Sequence, residues 1–211
     1  MAAAARLHFP HPSGPRPSPV AEAEAVDQRF VIHGVSWDEY VALNDALGDR
    51  GGVRVCYCEG TLELMSPGLL HEDKKKKIAR LLELYGLVRD VPLHGLGSMT
   101  YRKKPRERGA EPDECYYVGK VTDGPPDIAI EVAVSRSAID KMSLYAGLGV
   151  PELWIGAEDR ITVYRLGKTG YREVKRSKLL PRLDIVELAT FVRMPDQAAA
   201  AKAYWKKLEE K

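Results

Sequence analysis

Three residues in the second half of the chain, Asp113, Glu131 and Lys141, are of types that together could cleave a phosphodiester. Carboxylates from two adjacent strands can hold a hard divalent cation, Mg²⁺ above all with Mn²⁺ as a substitute, which keeps several waters and takes further ligands from phosphate. Such an ion lowers the pKa of an attacking water and takes up charge in the transition state. A lysine beside it places compact positive charge at the water or at the developing phosphorane oxygens. A single lysine near a helix end is ordinarily a snorkelling side chain. The weight therefore falls on the stretch that carries Glu131.

That stretch is Pro126-Asp-Ile-Ala-Ile-Glu-Val-Ala-Val134. Ile128, Ile130, Val132 and Val134 are large and β-branched, whereas Asp127, Ala129, Glu131 and Ala133 are acidic or small. With a side-chain period of two, this predicts a strand with one apolar face and one face carrying carboxylates over cleared space. Asp113 and Asp127, each after a proline, compete as partner for Glu131. Asp127 lies on the same strand, and four residues at ~3.3 Å rise separate the two Cα atoms by roughly 13 Å. Asp113, at the start of a separate run over 113–118 that could pair alongside, can converge, while Asp127 reads as a strand-entry residue.

The elements that must position these residues follow from local signals. Ser137 to Asp140 reads as a capping box opening a helix that ends at Gly149. Lys141, Leu144, Tyr145 and Leu148 share one face of it, which aims the lysine at the end of the acidic strand. Another helix is expected from Leu70 to Tyr85, closed by Gly86, with Ile78, Leu82 and Tyr85 in register. That stripe runs back to His71, which should point inward with Glu72 about a quarter-turn away. Lys74, Lys75, Lys76 and Lys77 follow. Such a run is ordinarily a solvated face, but four consecutive lysines reach every side of a helix and some could meet phosphates.

Elsewhere, Ser36-Trp-Asp-Glu39 resembles a capping box for a helix over 37–47, closed by Gly48. Runs over 53–58 and 61–65 flank Glu59-Gly60 as a hairpin. A strand is expected over 98–102, followed by a basic, poorly structured loop carrying Arg102, Lys103, Lys104, Arg106 and Arg108, also read as phosphate contacts. Further strands are expected over 151–155, 161–166 and 171–174, with a turn at 167–170. A short helix within 183–192 and a terminal helix over 197–210 complete the chain.

The 211 residues are 45% hydrophobic and 29% charged, the composition of one ordinary domain. A net charge of +2 neither requires nor excludes a polyanionic partner, so local clusters decide. Three cysteines, Cys56, Cys58 and Cys115, show no zinc spacing and suggest a reducing, cytoplasmic compartment. No apolar run approaches a membrane span. The Ala- and Pro-rich residues 1–27 cannot bury enough surface to offset ordering and read as a disordered leader. Residues 28–194 are then the functional domain and 195–211 a C-terminal helix.

In order, the pieces Glu59-Gly-Thr-Leu-Glu-Leu-Met-Ser-Pro67 with His71, Pro112-Asp113, Pro126 to Val132, Asp140-Lys-Met-Ser-Leu-Tyr145, Gly149-Val-Pro-Glu-Leu-Trp154 and Ile161-Thr-Val-Tyr164 resemble the PD-(D/E)XK nuclease superfamily. More narrowly, they resemble its Uma-type bacterial family of restriction-endonuclease-like proteins, once a domain of unknown function. The resemblance implies an α/β (α+β) fold with a restriction-endonuclease-like mixed central β-sheet flanked by helices. It also implies a metal-dependent endonuclease, a hydrolase of phosphodiester bonds, with metal ligands Asp113 and Glu131, a catalytic lysine, and Glu72 with His71 as the first-helix contribution. Two departures stand out. The superfamily places its lysine two residues after the glutamate, where this chain has Ala133, so the role is carried to Lys141. Glu114 occupies a position that is apolar in the family, which leaves the register of that strand open.

The reading is a Mg²⁺-dependent DNA endonuclease, with RNA as an alternative substrate and a symmetric homodimer as the arrangement that would cut both strands. The alternative is a catalytically weak protein that binds nucleic acid or a partner on a nuclease-like fold, since fold alone does not decide function. A hydrolase of small phosphates would need a Gly-rich cradle or clustered histidines, and neither is present.

Overall fold

The computed structural model describes residues 26–48 and 52–210. The leader expected over residues 1–27 lies outside the described residues as far as residue 25. Asp27, at its end, is instead buried at 8% exposure.

At the centre is a six-stranded mixed sheet of β4 (Leu93–Gly95), β7 (Glu114–Val118), β8 (Ile128–Ala133), β9 (Glu152–Ala157), β10 (Arg160–Gly167) and β11 (Gly170–Val174). Their spatial order is β11-β10-β9-β8-β7-β4. Strands β8 and β9 run parallel. Parallel neighbours cannot be joined by a hairpin and need a crossover. The chain between them supplies it as helix α3 (Lys141–Leu148), capped by Gly149 in the left-handed region. The strand alternation predicted for β8 holds through Val132, and Val134 falls beyond the strand and is exposed.

Ile128, Ile130 and Val132 enter the larger core. There they meet Ile78 and Leu82 of α2 (Leu69–Val88), Ile185 and Leu188 of α4 (Ile185–Val192), and Tyr204 and Leu208 of α5 (Gln197–Glu209). The opposite face of β8 is not open to water. Ala129 packs there in a second core with Leu144, Tyr145 and Leu148 of α3 and with Cys56. Cys56 belongs to a second, five-stranded antiparallel sheet that the sequence reading did not anticipate. Its strands are β1 (Gln28–His33), β2 (Arg54–Cys58), β3 (Thr61–Ser66), β5 (Tyr101–Lys103) and β6 (Arg108–Ala110), in the order β1-β3-β2-β6-β5. Helix α1 (Trp37–Leu47) closes it over Tyr57, with the Ser36–Glu39 capping box formed as predicted.

The β2–β3 hairpin forms at Glu59-Gly60, where both residues take positive φ, 45° and 85°. Two positive values in succession give the twist a tight hairpin needs. Four local expectations are corrected. Helix α2 does not end at Gly86 but continues to Val88. Gly86 is a close-packing position, where a Cβ would come within 3.0 Å of Leu93 Cδ1 and 3.2 Å of the Val91 carbonyl. The strand expected over 98–102 is confined to Tyr101–Lys103. The basic segment that follows is no irregular loop, because β5, a 3₁₀ turn (Lys104–Arg106) and β6 make it a paired hairpin. Strands β1 and β4 went unanticipated; β1 is exposed along most of its length and is a strand by virtue of its ladder with β3.

The fourth correction concerns the start of α3. Asp140, not Ser137, is its N-cap, accepting from the Met142 N–H at 2.9 Å. Ser137 donates instead to Glu63 of β3, which also accepts from the Ala138 N–H at 2.7 Å. A buried carboxylate has outcompeted the local cap, since unpaired burial of Glu63 would cost more than a lost N-cap bond.

Candidate active site

Antiparallel pairing of β7 and β8 matches Glu114 with Ile130, so the register continued by one residue sets Asp113 opposite Glu131. Directly opposed residues point to the same face. Glu114, the residue that left the register open, turns to the other face and approaches Lys76 at 3.9 Å. Asp113 and Glu131 are 2% and 7% exposed. Carboxylates so buried require partners.

The Asp113 Oδ2 accepts from the Val132 N–H at 2.7 Å, fixing the carboxylate across the strand pair. Its Oδ1 lies 2.9 Å from His71 Nε2. Glu131 is gripped from α3: Lys141 Nζ lies 3.2 Å from Oε1 and 3.1 Å from Oε2, and the Tyr145 hydroxyl donates to Oε1. Tyr145 is four residues after Lys141, one helical turn on, so both reach the same carboxylate. Lys141 also contacts Cys56 Sγ at 3.1 Å.

These partners push the two carboxylates apart in acidity. Burial raises the Asp113 carboxyl, but the His71 imidazole 2.9 Å away, with the Val132 amide, outweighs it and brings it below the usual range. Burial raises Glu131 as well; Lys141 lowers it and the nearby Asp113 charge raises it, and the balance stays above the usual range. For Lys141, burial opposes the ammonium, but Cys56 and Glu131 beside it hold it charged. Opposed shifts in neighbouring acids are a mark of functional sites, although structural ion pairs produce them too.

His71 opens α2 and is fully buried, as its place on the inward stripe predicts. Its Nδ1 lies 3.3 Å from both carboxylate oxygens of Asp27. Its Nε2 is close to Asp113 but poorly aligned on it, and has no well-directed hydrogen bond. Burial lowers the imidazolium, and Asp113 and Asp27 together overcome this to raise it. Asp27 is itself held by Ser135 at 2.8 Å and Arg29 at 3.3 Å, and Arg29 reaches on to Glu63 at 2.6 Å.

The fold thus brings together Asp113, Glu131, Lys141 and His71. It does not bring Glu72, which pairs with Lys75 at 2.6 Å on the surface of α2 and forms no hydrogen bond or ion pair with either acid. Asp127 accepts from the Val118 N–H at 2.8 Å and serves strand pairing. Sequence reasoning missed Asp27, placed in the expected leader, and the contributions of Cys56 and Glu63 from the second sheet. For Tyr145 a signal existed in its i+4 spacing from Lys141, although it was counted only as apolar stripe.

The basic segments divide. Lys75 and Lys77 are buried and paired with Glu72 and Asp73, at 2.6 and 2.7 Å. Lys74 donates to the Glu158 carbonyl, whereas Lys76 keeps 60% of its side chain exposed. Arg102 pairs with Asp45 at 2.8 Å over the Tyr40 ring, Lys104 stays exposed 3.7 Å from Asp38, and Arg108 is buried against Glu59 at 2.8 Å. Lys103 and Arg106 are exposed.

Among the described residues, no three His, Cys, Asp or Glu side chains converge as a ready-made metal cage. A cation that keeps most of its waters requires only one or two carboxylates. The opposed pair Asp113 and Glu131 suits such an ion in ligand hardness, and a cation would relieve the repulsion that raises Glu131.

Comparison with known proteins adds a family and a solved structure to which the chain is similar. The family Uma2, described as "Putative restriction endonuclease", matches residues 37–195. A crystal structure of a "putative nuclease belonging to DUF820" from Anabaena variabilis is similar at 13% identity and a TM-score of 0.47, covering 74% of this chain and 99% of that one. No curated protein matches.

Proposed function

This chain belongs to the Uma2 family of restriction-endonuclease-like proteins, and from that premise we propose that it is a Mg²⁺-dependent endonuclease acting on DNA at Asp113, Glu131 and Lys141. The observation that carries the proposal is the meeting of an opposed carboxylate pair with a half-buried, charged lysine at one point of the central sheet. Asp113 and Glu131 would hold the ion, which when bound supplies a water of lowered pKa and a Lewis acid for phosphate oxygen.

The chain's own residues have separate tasks. Val132 and His71 hold the Asp113 carboxylate ionised. Tyr145 fixes the Glu131 rotamer by its hydrogen bond. Lys141 neutralises Glu131 at rest and, at 15% side-chain exposure, is the member of the pair nearer to solvent and substrate. Its charge is preorganised for the developing phosphorane, which makes it worth more than the same charge in water. Lys141 anchors on α3 and still reaches Glu131, supporting transfer to it of the role a lysine at position 133 would have had. Lys76 and Lys104, exposed at the surface and only loosely paired with Glu114 and Asp38 at 3.9 and 3.7 Å, are the proposed contacts to DNA phosphates.

The test is plasmid nicking by purified protein with Mg²⁺ or Mn²⁺. Glu131→Ala should abolish cleavage and remove calorimetric metal binding, and Lys141→Ala should lower the rate by about 10²–10³ with metal binding retained. Should the parent bind DNA yet show no metal-dependent nicking, the protein is a binding member of the family and the catalytic assignment fails.

A further inference from the structure

Helix α3 turns Lys141 and Tyr145 toward Glu131, and its opposite side walls a separate cavity. Ser143 and Gly147 lie roughly 200–240° around the helix from Lys141. The cavity, ≈ 560 Å³, is an open depression bordered by α3, the β5–β6 hairpin and the β10–β11 turn. Its lining includes Lys103, Arg106, Arg108, Ser143, Gly147 and Thr169, and no acidic side chain.

Arg108 is the built feature. Its side chain is 9% exposed, and two of its nitrogens are engaged, by the Arg106 carbonyl at 3.0 Å and by Glu59 at 2.8 Å. Its Nε is buried with no hydrogen-bond partner. An unpaired buried donor on a guanidinium is a costly thing to retain. The fold makes space for it: a Cβ at Gly147 would lie 2.9 Å from both Arg108 Nε and Cγ. A glycine in the interior of a helix weakens that helix, and here it admits the guanidinium. Lys103 and Arg106 add two further cations, exposed and without an ion pair among the described residues.

We propose that this cavity is a phosphate site, distinct from the carboxylate centre on the other side of α3. Lys103 and Arg106, with the Glu59-paired Arg108 behind them and the hydroxyl-bearing Ser143, Thr169 and Tyr171 along the lining, match a doubly charged oxyanion with several acceptor oxygens, and a guanidinium is the donor best shaped for it. The phosphoryl group belongs either to the end of a nucleic-acid strand or to a small phosphorylated molecule. The site does not depend on the nuclease reading.

Calorimetric titration of the full chain with inorganic phosphate, in the presence of a chelator, tests it. Saturable binding is expected, and Lys103→Gln combined with Arg106→Gln should weaken it about tenfold or more with an unchanged thermal midpoint. Gly147→Ala, which displaces the Arg108 guanidinium, should weaken it independently, and Glu131→Ala should leave it intact. That last arm separates failure of this site from failure of the active-site proposal. Absence of phosphate binding, or equal binding by parent and double variant, overturns the site. Duplexes with 5′-phosphate and 5′-hydroxyl ends distinguish the source. A preference for the phosphorylated end that the double variant loses assigns the site to strand termini. Equal binding of the duplexes, with inorganic phosphate still bound, assigns it to a small ligand.

Discussion

On one face of β8, Ile128, Ile130 and Val132 meet the side chains of α2, α4 and α5; on the other, Ala129 and Glu131 meet α3 and the second sheet. Both faces are buried, at 0–2% for the three aliphatic residues and 0% and 7% for Ala129 and Glu131. Burial alone therefore does not separate the structural face from the functional one. What separates them is the content of the burial. The first face gains free energy from apolar area removed from water. The second encloses a carboxylate that is tolerable only while Lys141 and Tyr145 answer it.

The largest effect expected from this contrast is on the functional face. Lys141→Ala leaves Glu131 buried without its counter-ion and should cost about 3–5 kcal/mol of stability in denaturant unfolding. Glu131→Gln with Lys141→Met, which removes both charges at similar volume, should restore most of that stability while cleavage stays lost. A single variant as stable as the parent would mean the pair is solvated and the two faces do not differ as argued.

On the apolar face, Ile130→Ala should cost about 2–5 kcal/mol through lost burial and a residual cavity. Its cleavage rate, measured well below its unfolding transition, should stay within a few-fold of the parent. A collapse of activity in the still-folded variant would show that the two faces are coupled.

Smaller effects sharpen the picture. Tyr145→Phe removes one hydrogen bond to Glu131 and should cost about 1 kcal/mol, read from the urea midpoint. A contrast of tightly and loosely paired charge likewise separates the lysines of α2. Lys76→Gln should reduce the salt slope of DNA binding by about one, and Lys75→Gln should leave it unchanged because that ammonium is held by Glu72. A slope altered equally by both would place the DNA against another face of the helix.

The residues themselves disclosed the period-two pattern of β8, the inward place of His71, the shared face of Lys141, Leu144, Tyr145 and Leu148, and the exclusion of Asp127 by distance along one strand. Each is a local matter, set by the repeat of a strand or helix within a few residues. The family was legible for a similar reason, since its motifs are short and come in order. Tertiary structure decided the rest. Glu63 drew Ser137 away from the helix cap it was expected to form. The Glu158 carbonyl claimed Lys74. Asp27, read as part of a leader, came to rest against His71. Each outcome is a choice of partner for a charge or polar group, and partners are chosen across the 34 to 108 residues that separate Arg29 from Glu63, Asp27 from His71, Ser137 from Glu63 and Ser135 from Asp27. Local sequence specifies the direction in which a side chain points, and only the assembled chain determines what stands there to meet it.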